Sequence, residues 1–476
     1  ALGTPLELTL TGTDPDGDDL AFYITSLPDP AKGRLYDGTL EQGVQITATG
    51  EGTPYNLQGA LVTYEPLTAG AHATSLGYKA REQGPGYTEY SNLGTITVQA
   101  AAGGPSSMTL LTDRYEGAAY VQNDDNSPED LYSYAVGRIG VSGDGSRVLF
   151  TTKAQLVPTD TDFSRDAYLV VTIAEGKQTF LIDAGGSGNL DVEGPSLSPC
   201  GHYAAVTTWA ALDPVSDTNV EQDVYLLDIT DPESTSVELV SCNPGTGLAL
   251  GQSHSPSVAV GGTRVSFVHD DQVYLWEQAT RDIALISEDS SGVPSTAPCR
   301  EPVIAGDGNV VAYVASAQLT GAPTDGHDCI YAYLVYADQT VLVSRPTGSR
   351  AAPDGASSTP SLSRHGSLVA FVSRATNLTG DDMNGNTRDV YVANLRDESL
   401  ARLTDTASGE HCWDPWISGD GRFVYLTTAA ELGDAPDVFH AGYTHAYVLD
   451  RRDGSIQMAD VHAGESGAGD CGKGIL

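Results

Sequence analysis

Residues 142–183 read SGDGSRVLFTTKAQLVPTDTDFSRDAYLVVTIAEGKQTFLID. A small-residue turn ending at Gly145 leads into an apolar run, RVLFTT; a polar loop, a second run around Tyr168 and a third run, TFLID, follow. The same succession returns with turns ending at Gly201, Gly262, Gly308, Gly366 and Gly421, spaced roughly 46 to 61 residues apart. Behind those turns stand YAAVTT, RVSFV, VVAYVAS, LVAFVS and FVYLTT, then runs carrying Tyr225, Tyr274, Tyr331, Tyr391 and Tyr447. VELVS, IALIS, TVLVS, ARLTD and IQMAD close the copies. Short runs rich in Val, Tyr, Thr and Phe, bounded by Gly, Asp, Asn and Pro, are strand signals. No segment keeps a 3.6-residue apolar period.

A further short run precedes each turn, such as RIGVS before Gly145, PSLS before Cys200 and PWIS before Gly419. Each copy therefore supplies four strands in an up-and-down order. A lone four-stranded meander cannot bury both faces, so neighbouring copies must stack, and radial stacking gives a β-propeller. The expectation is an all-β chain with six blades over roughly residues 134 to 461. A seventh blade is the alternative, because MTLLTD at 108–113 is an orphan outer-strand run suited to ring closure or an added edge. DCGKGIL at 470–476 resembles the start of another inner strand. Either the chain is truncated there or that strand pairs outside its own ring.

The chain has 476 residues, a net charge of −39 and only five lysines. That balance makes nucleic acid and anionic membrane surfaces poor partners and suits divalent cations or a saline habitat. No apolar stretch approaches the ~20 residues needed to span a bilayer. The chain starts at Ala1 without a signal peptide and reads as a processed or trimmed product. Six cysteines occur without a CxxC, which excludes zinc-ribbon, thioredoxin-like and haem-attachment patterns. An even count in an acidic, loop-rich chain favours an oxidising, extracellular or cell-surface setting. Cys412–Cys471 and Cys299–Cys329 are the disulfides expected, with Cys200 and Cys242 left over to pair with each other or between chains; buried free thiols are the alternative.

Residues 1–101 share none of the repeat signatures. They hold LELTLTGTDPDGDDLAFYITSLP, GRLYDG, ALVTYEPL and LGTITVQAA, short alternating strands with Pro and Gly turns that suit a β-sandwich. The pattern, DPDGDDL above all, resembles the cadherin-like, immunoglobulin-fold modules of bacterial surface proteins. That resemblance implies calcium held by Asp14, Asp16 and Asp18. A linker at 102–107 would join this domain to the propeller at 108–476.

The repeat resembles the TolB-type propeller repeat, whose loop L-x-P-x-D-x-N-x-x-x-D leads into the third strand. Copy one matches with Asp160, Asp162 and Asp166, copy two with Asp217, Asn219 and Asp223, and copy five with Asp382, Asn384, Asn386 and Asp389. Alternating oxygen side chains before a later Asp can wrap one divalent ion, so calcium is the expected cofactor of these loops. Asx-turns in a solvated acidic loop are the competing account.

No G-x-S-x-G elbow, HExxH motif or sialidase box is present. His411, Trp413, Asp414 and Trp416, at the entrance to the sixth copy, could stack on a sugar, although tryptophans on an inner strand also serve as packing. With no catalytic constellation in register, the expectation is a non-enzymatic secreted or surface protein that contacts copies of itself head-to-tail in a filament or surface layer. The alternatives are a secreted propeller enzyme acting on polysaccharide and a periplasmic partner-binding propeller.

Overall fold

A computed structural model describes residues 6–10, 20–28, 33–38, 44–47, 55–58, 60–66, 72–82, 94–100, 140–153, 155–160, 164–173, 176–182, 191–348, 351–406, 409–433 and 444–459. The chain divides into two compact units, residues 1–110 and 111–476. Eight four-stranded antiparallel sheets and no α-helix occur among the described residues. No helix is long and apolar enough to cross a membrane.

Two of the sheets form the first unit. Phe22 and Ile24 from one meet Leu35, Val62 and Tyr64 from the other in a single core. Asp14, Asp16 and Asp18, MTLLTD and DCGKGIL lie outside the described residues.

The second unit is six consecutive meanders, each with its strands paired in chain order. Blade two is representative: Val192–Leu197, Tyr203–Thr208, Asp223–Asp228 and Ser236–Leu239. Strand periodicity sends successive side chains to opposite faces, and here those faces belong to different neighbours. Tyr225 and Leu227 pack into a core with Leu149 and Leu169 of blade one. Val224 and Leu226, one residue away, pack with Val265, Phe267 and Trp276 of blade three. Comparable shared cores join blades three to four, four to five and five to six.

The blades turn about a common axis. Gly306, in the turn of blade four, is tightly enclosed: a Cβ there would sit 3.2 Å from Pro199 of blade two and 3.1 Å from Arg364 of blade five. Turns of non-neighbouring blades can meet only if the blades wrap around one centre. Backbone bonds chain neighbouring turns together, among them Gly143 N–H to Pro199 O at 2.8 Å and Arg364 N–H to Gly419 O at 2.9 Å. The expected all-β propeller architecture is what these six blades form.

The recurrent tyrosine is a lock. Tyr168, Tyr225, Tyr331, Tyr391 and Tyr447 are fully buried. Tyr168 donates to Asp160 at 2.5 Å, Tyr225 to Asp217, and Tyr391 to Asp382 at 3.2 Å. In blade four the acceptor is the Ala317 carbonyl, at 2.8 Å. Tyr274 differs: blade three has no loop to lock, and the ring is only partly buried. Opposite each of four tyrosines stands a stacked ring: Phe150, Phe267, Tyr313 or Phe371.

The expected Cys299–Cys329 disulfide is wrong. Both residues stand opposite Ala315, on strands that flank its own. Two strand spacings separate them, about 10 Å, well beyond disulfide reach. Cys200, Cys242, Cys299, Cys329 and Cys412 are all free thiols, and Cys471 lies outside the described residues. Burial pushes the Cys329 thiol up to about 11 and that of Cys412 to about 12, so both behave as small core residues.

Tyr225→Phe leaves the buried Asp217 carboxylate short of a donor and should cost about 1–3 kcal/mol in chemical denaturation. Tyr274→Phe, with no hydroxyl partner to lose among the described residues, should stay within about 0.5 kcal/mol of the parent.

Candidate functional site at the axial mouth

The small-residue turns close one end of the axis, so the other end is where the first strands begin. Antiparallel order brings the loops between second and third strands to that same end. There each new blade is attached by one repeated bond. Val192, Ser253, Cys299, Ser357 and Cys412 donate their N–H to the carbonyls of Arg165, Gln222, Asp271, Asp328 and Arg388, at 2.7 to 2.9 Å. Each acceptor immediately precedes the third strand of the preceding blade.

One or two residues further in, every one of these five first strands carries a β-bulge, seen as a register shift. Gly194, Ser255, Glu301, Thr359 and Asp414 take φ values of 55, 54, 55, 51 and 45. Each stands directly before a proline, Pro195, Pro256, Pro302, Pro360 or Pro415. Left-handed backbone is unusual for non-glycine residues, and bulges of this kind re-aim side chains beside functional sites. The signal in the sequence is the repeated X-Pro inside the inner-strand run, since proline within a strand marks an edge or a bulge.

The bulges and the residues before the third strands bring charged side chains to the mouth. Arg165 pairs with Glu193 at 3.0 Å, and Arg300 with Asp328 at 2.6 Å. Glu301 Oε2 accepts from the Thr359 N–H at 2.7 Å, spanning blades four and five. The corner between blades five and six is different. The Arg388 guanidinium lies 3.9 Å over the ring of Trp413, which is 41% exposed. Arg388 Nη1 is buried without a hydrogen-bond partner among the described residues. His411 Nδ1 accepts from the Arg388 N–H at 3.0 Å, which fixes the neutral ring's proton on Nε2. Burial, then Arg374 and Arg388, hold the His411 pKa below its ordinary value; burial and Arg374 likewise depress Arg388. Of the four residues singled out here from sequence, Asp414 takes the bulge conformation, and Trp416, past the bulge, is half-buried opposite Tyr425.

The carboxylate loops lie at the same end, as hydrogen-bonded locks. In blade two Asp223 accepts from Ser241 at 2.6 Å, the Gly251 N–H at 3.1 Å and Asn219 at 3.0 Å, while Asp217 holds Tyr225. In blade one Asp160 holds Tyr168 and Asp166 accepts from Ser164 at 3.4 Å; Asp162 lies outside the described residues. In blade five Asp389 accepts from Thr404 at 2.9 Å and Asn384 at 2.9 Å, and Asn386 offers its carbonyl to Arg374 at 3.3 Å. Arg402 Nη1 lies 3.4 Å from Asp382 and 3.5 Å from Asp389. A guanidinium thus stands where a cation was expected, and blade five does not fit a metal. No cluster of three or more potential metal-ligating His, Cys, Asp or Glu side chains occurs among the described residues.

No protein-family model matches the chain, and no curated protein does. Solved structures with a similar fold include an oligogalacturonate lyase in complex with manganese, at 11% identity and a TM-score of 0.37 over 62% of this chain and 69% of the lyase. Porphyromonas gingivalis dipeptidyl peptidase 4 aligns at 12% identity and a TM-score of 0.39, over 70% of this chain and 54% of its own. Pyrococcus horikoshii acylaminoacyl peptidase aligns at 9% and 0.40, over 70% and 46%. The chain thus spans about half the length of these peptidases. Such likeness describes the fold alone. The expectation of a non-enzymatic surface or filament subunit is nevertheless corrected on this comparison: each of these structures is an enzyme by its name.

Ser255→Gly should raise stability by about 1 kcal/mol by removing left-handed strain, and Gly194→Ala should lower it by a similar amount, both read by thermal melting. Arg402→Leu should cost about 3–5 kcal/mol near neutrality by stranding two buried carboxylates. That loss should shrink as pH falls, because burial raises the Asp389 pKa above the ordinary carboxylate range and its protonation removes one of the stranded charges.

Proposed function

We propose that the propeller is the body of an extracellular enzyme acting on polysaccharide at the axial mouth. The observation that carries this reading is the corner between blades five and six, where an exposed Trp413 stands beside the left-handed residue Asp414. Trp413 supplies a flat apolar platform for a sugar ring. Glu301 and Asp414, both on bulges, are the carboxylates available for general acid and base work, and the His411 Nε2–H is a neutral donor at the same corner. Glycosidic cleavage needs a proton delivered to the leaving oxygen and a second group opposite it, and a ring of re-aimed polar side chains can offer both.

The remaining assignments belong to the same proposal. The repeats are of the TolB type, and the first unit is an immunoglobulin- or cadherin-like module that serves as an accessory domain. Calcium, where bound, is held by Asp14, Asp16 and Asp18, by the blade-one loop (Asp160, Asp162, Asp166) or by the blade-two loop (Asp217, Asn219, Asp223).

The test is release of reducing ends or unsaturated products from a panel of neutral and acidic polysaccharides, with calcium and with chelator. Activity on at least one polymer, reduced at least tenfold in Trp413→Ala and in Glu301→Gln or Asp414→Asn, is the expected result. A folded protein that cleaves nothing in the panel would refute the reading.

A further inference from the structure

Arg374 and Arg388 carry the further inference. The chain has 63 acidic residues against 24 basic ones. Other mouth arginines have carboxylate partners: Arg165 meets Glu193 and Arg300 meets Asp328. Arg388 makes no ion pair among the described residues; it meets the Trp413 ring, its backbone N–H donates to His411, and the Asp414 carboxylate acts on it only through space. Arg374 donates to the Asn386 carbonyl at 3.3 Å, an uncharged partner. Arg374 is held on the Asn386 carbonyl, two residues before Arg388, and its charge helps to lower the pKa values of both Arg388 and His411. Two guanidinium groups, with only Asp414 acting on Arg388 as an opposing charge and no carboxylate in ion-pair contact with either among the described residues, leave this corner with an excess of positive charge. In a chain with so many carboxylates to spare, that excess marks a place for an anion from outside.

The rest of the surface limits which anion. A net charge of −39 repels a densely charged polymer at long range, while the arginine pair attracts a carboxylate at contact. The Arg388 guanidinium covers one face of Trp413 at 3.9 Å, and the part of the indole that stays exposed gives the same ligand an apolar surface to lie on. We infer that this corner is a subsite for a single carboxylate-bearing sugar, a uronic acid occurring sparsely in an otherwise neutral polysaccharide. The inference rests on the polysaccharide reading and names its substrate class. The carboxylate takes the guanidinium donors of Arg388 and Arg374, the sugar face lies on Trp413, and the His411 Nε2–H completes the donor set.

Three probes test it by calorimetry on the full chain: a neutral xylohexaose, the same chain bearing one glucuronate branch, and a fully charged oligogalacturonate of equal length. The glucuronate-bearing chain should bind about tenfold more tightly than the neutral one. The oligogalacturonate should bind more weakly than the singly charged probe at low salt, the gap narrowing as salt screens the long-range repulsion. Arg388→Gln and, separately, Arg374→Gln should bring the charged-to-neutral ratio near one, while Arg388→Lys should retain part of it. Wild-type affinity that ignores the glucuronate, or a ratio unchanged in both glutamine variants, overturns the subsite and leaves the polysaccharide reading standing. Binding of none of the three probes removes that reading, and the subsite with it.

Discussion

A single backbone bond, made five times, holds the mouth of this propeller in register. The first N–H of an incoming blade closes on the carbonyl just before the third strand of the blade behind it. Main-chain groups make the bond, so it constrains position and leaves side-chain identity free. Arginine, glutamine and aspartate all serve as the acceptor residue, and their side chains do unrelated things. The consequence is a ring of fixed Cα positions whose chemistry is set one residue at a time. Burial enforces the same register from the other side. Neighbouring residues of one strand, such as Val224 and Tyr225, enter cores with different blades, so a slip of one residue would exchange both faces at once.

The bulges extend this logic. Once the first N–H is placed and the turn at the far end is packed against its neighbours, one extra residue has to be absorbed in between. It is absorbed at the residue before proline, in left-handed backbone, in five blades. Glycine does this in blade two, whereas blades three to six use serine, glutamate, threonine and aspartate. Left-handed backbone at a non-glycine residue costs of order 1–3 kcal/mol. A purely architectural bulge would be served by glycine throughout. Four polar side chains accepted at that cost around one opening suit a surface shaped for binding.

Much of the fold is legible in the sequence because its signals are local. Turn glycines, strand-length runs and the tyrosine that recurs between them depend on neighbours within a dozen residues. The tyrosine hydroxyl even finds the loop carboxylate that the repeat pattern singles out, Asp160, Asp217 or Asp382. What the sequence hides is whatever depends on spacing across strands. Cys299 and Cys329 look paired because each stands at a strand start in the same copy, yet an intervening strand keeps them apart. Asp382, Asn384 and Asp389 look like a metal loop because Arg402, on the fourth strand, is distant in the chain and adjacent in space. The prolines of the inner strands are plain to read, but their effect, a bulge, is visible only against the partner strand.

Blade five shows why charge accounting must be done in three dimensions. Arg402 and Arg388 flank the same run, 389–402, and meet opposite fates. Arg402 enters a pocket with two buried carboxylates, where it neutralises charges that would otherwise repel. Arg388, immediately before Asp389, is turned away from that pocket onto an indole of the next blade. The loop therefore spends one cation on its own stability and presents another at the mouth. A blade concerned with folding alone would gain from pairing both, because the chain holds an excess of acidic partners. Leaving Arg388 out of ion-pair contact among the described residues, with Asp414 acting on it only through space, forgoes that gain; a charge held so loosely by its own chain is one arranged to meet a charge that arrives with a ligand.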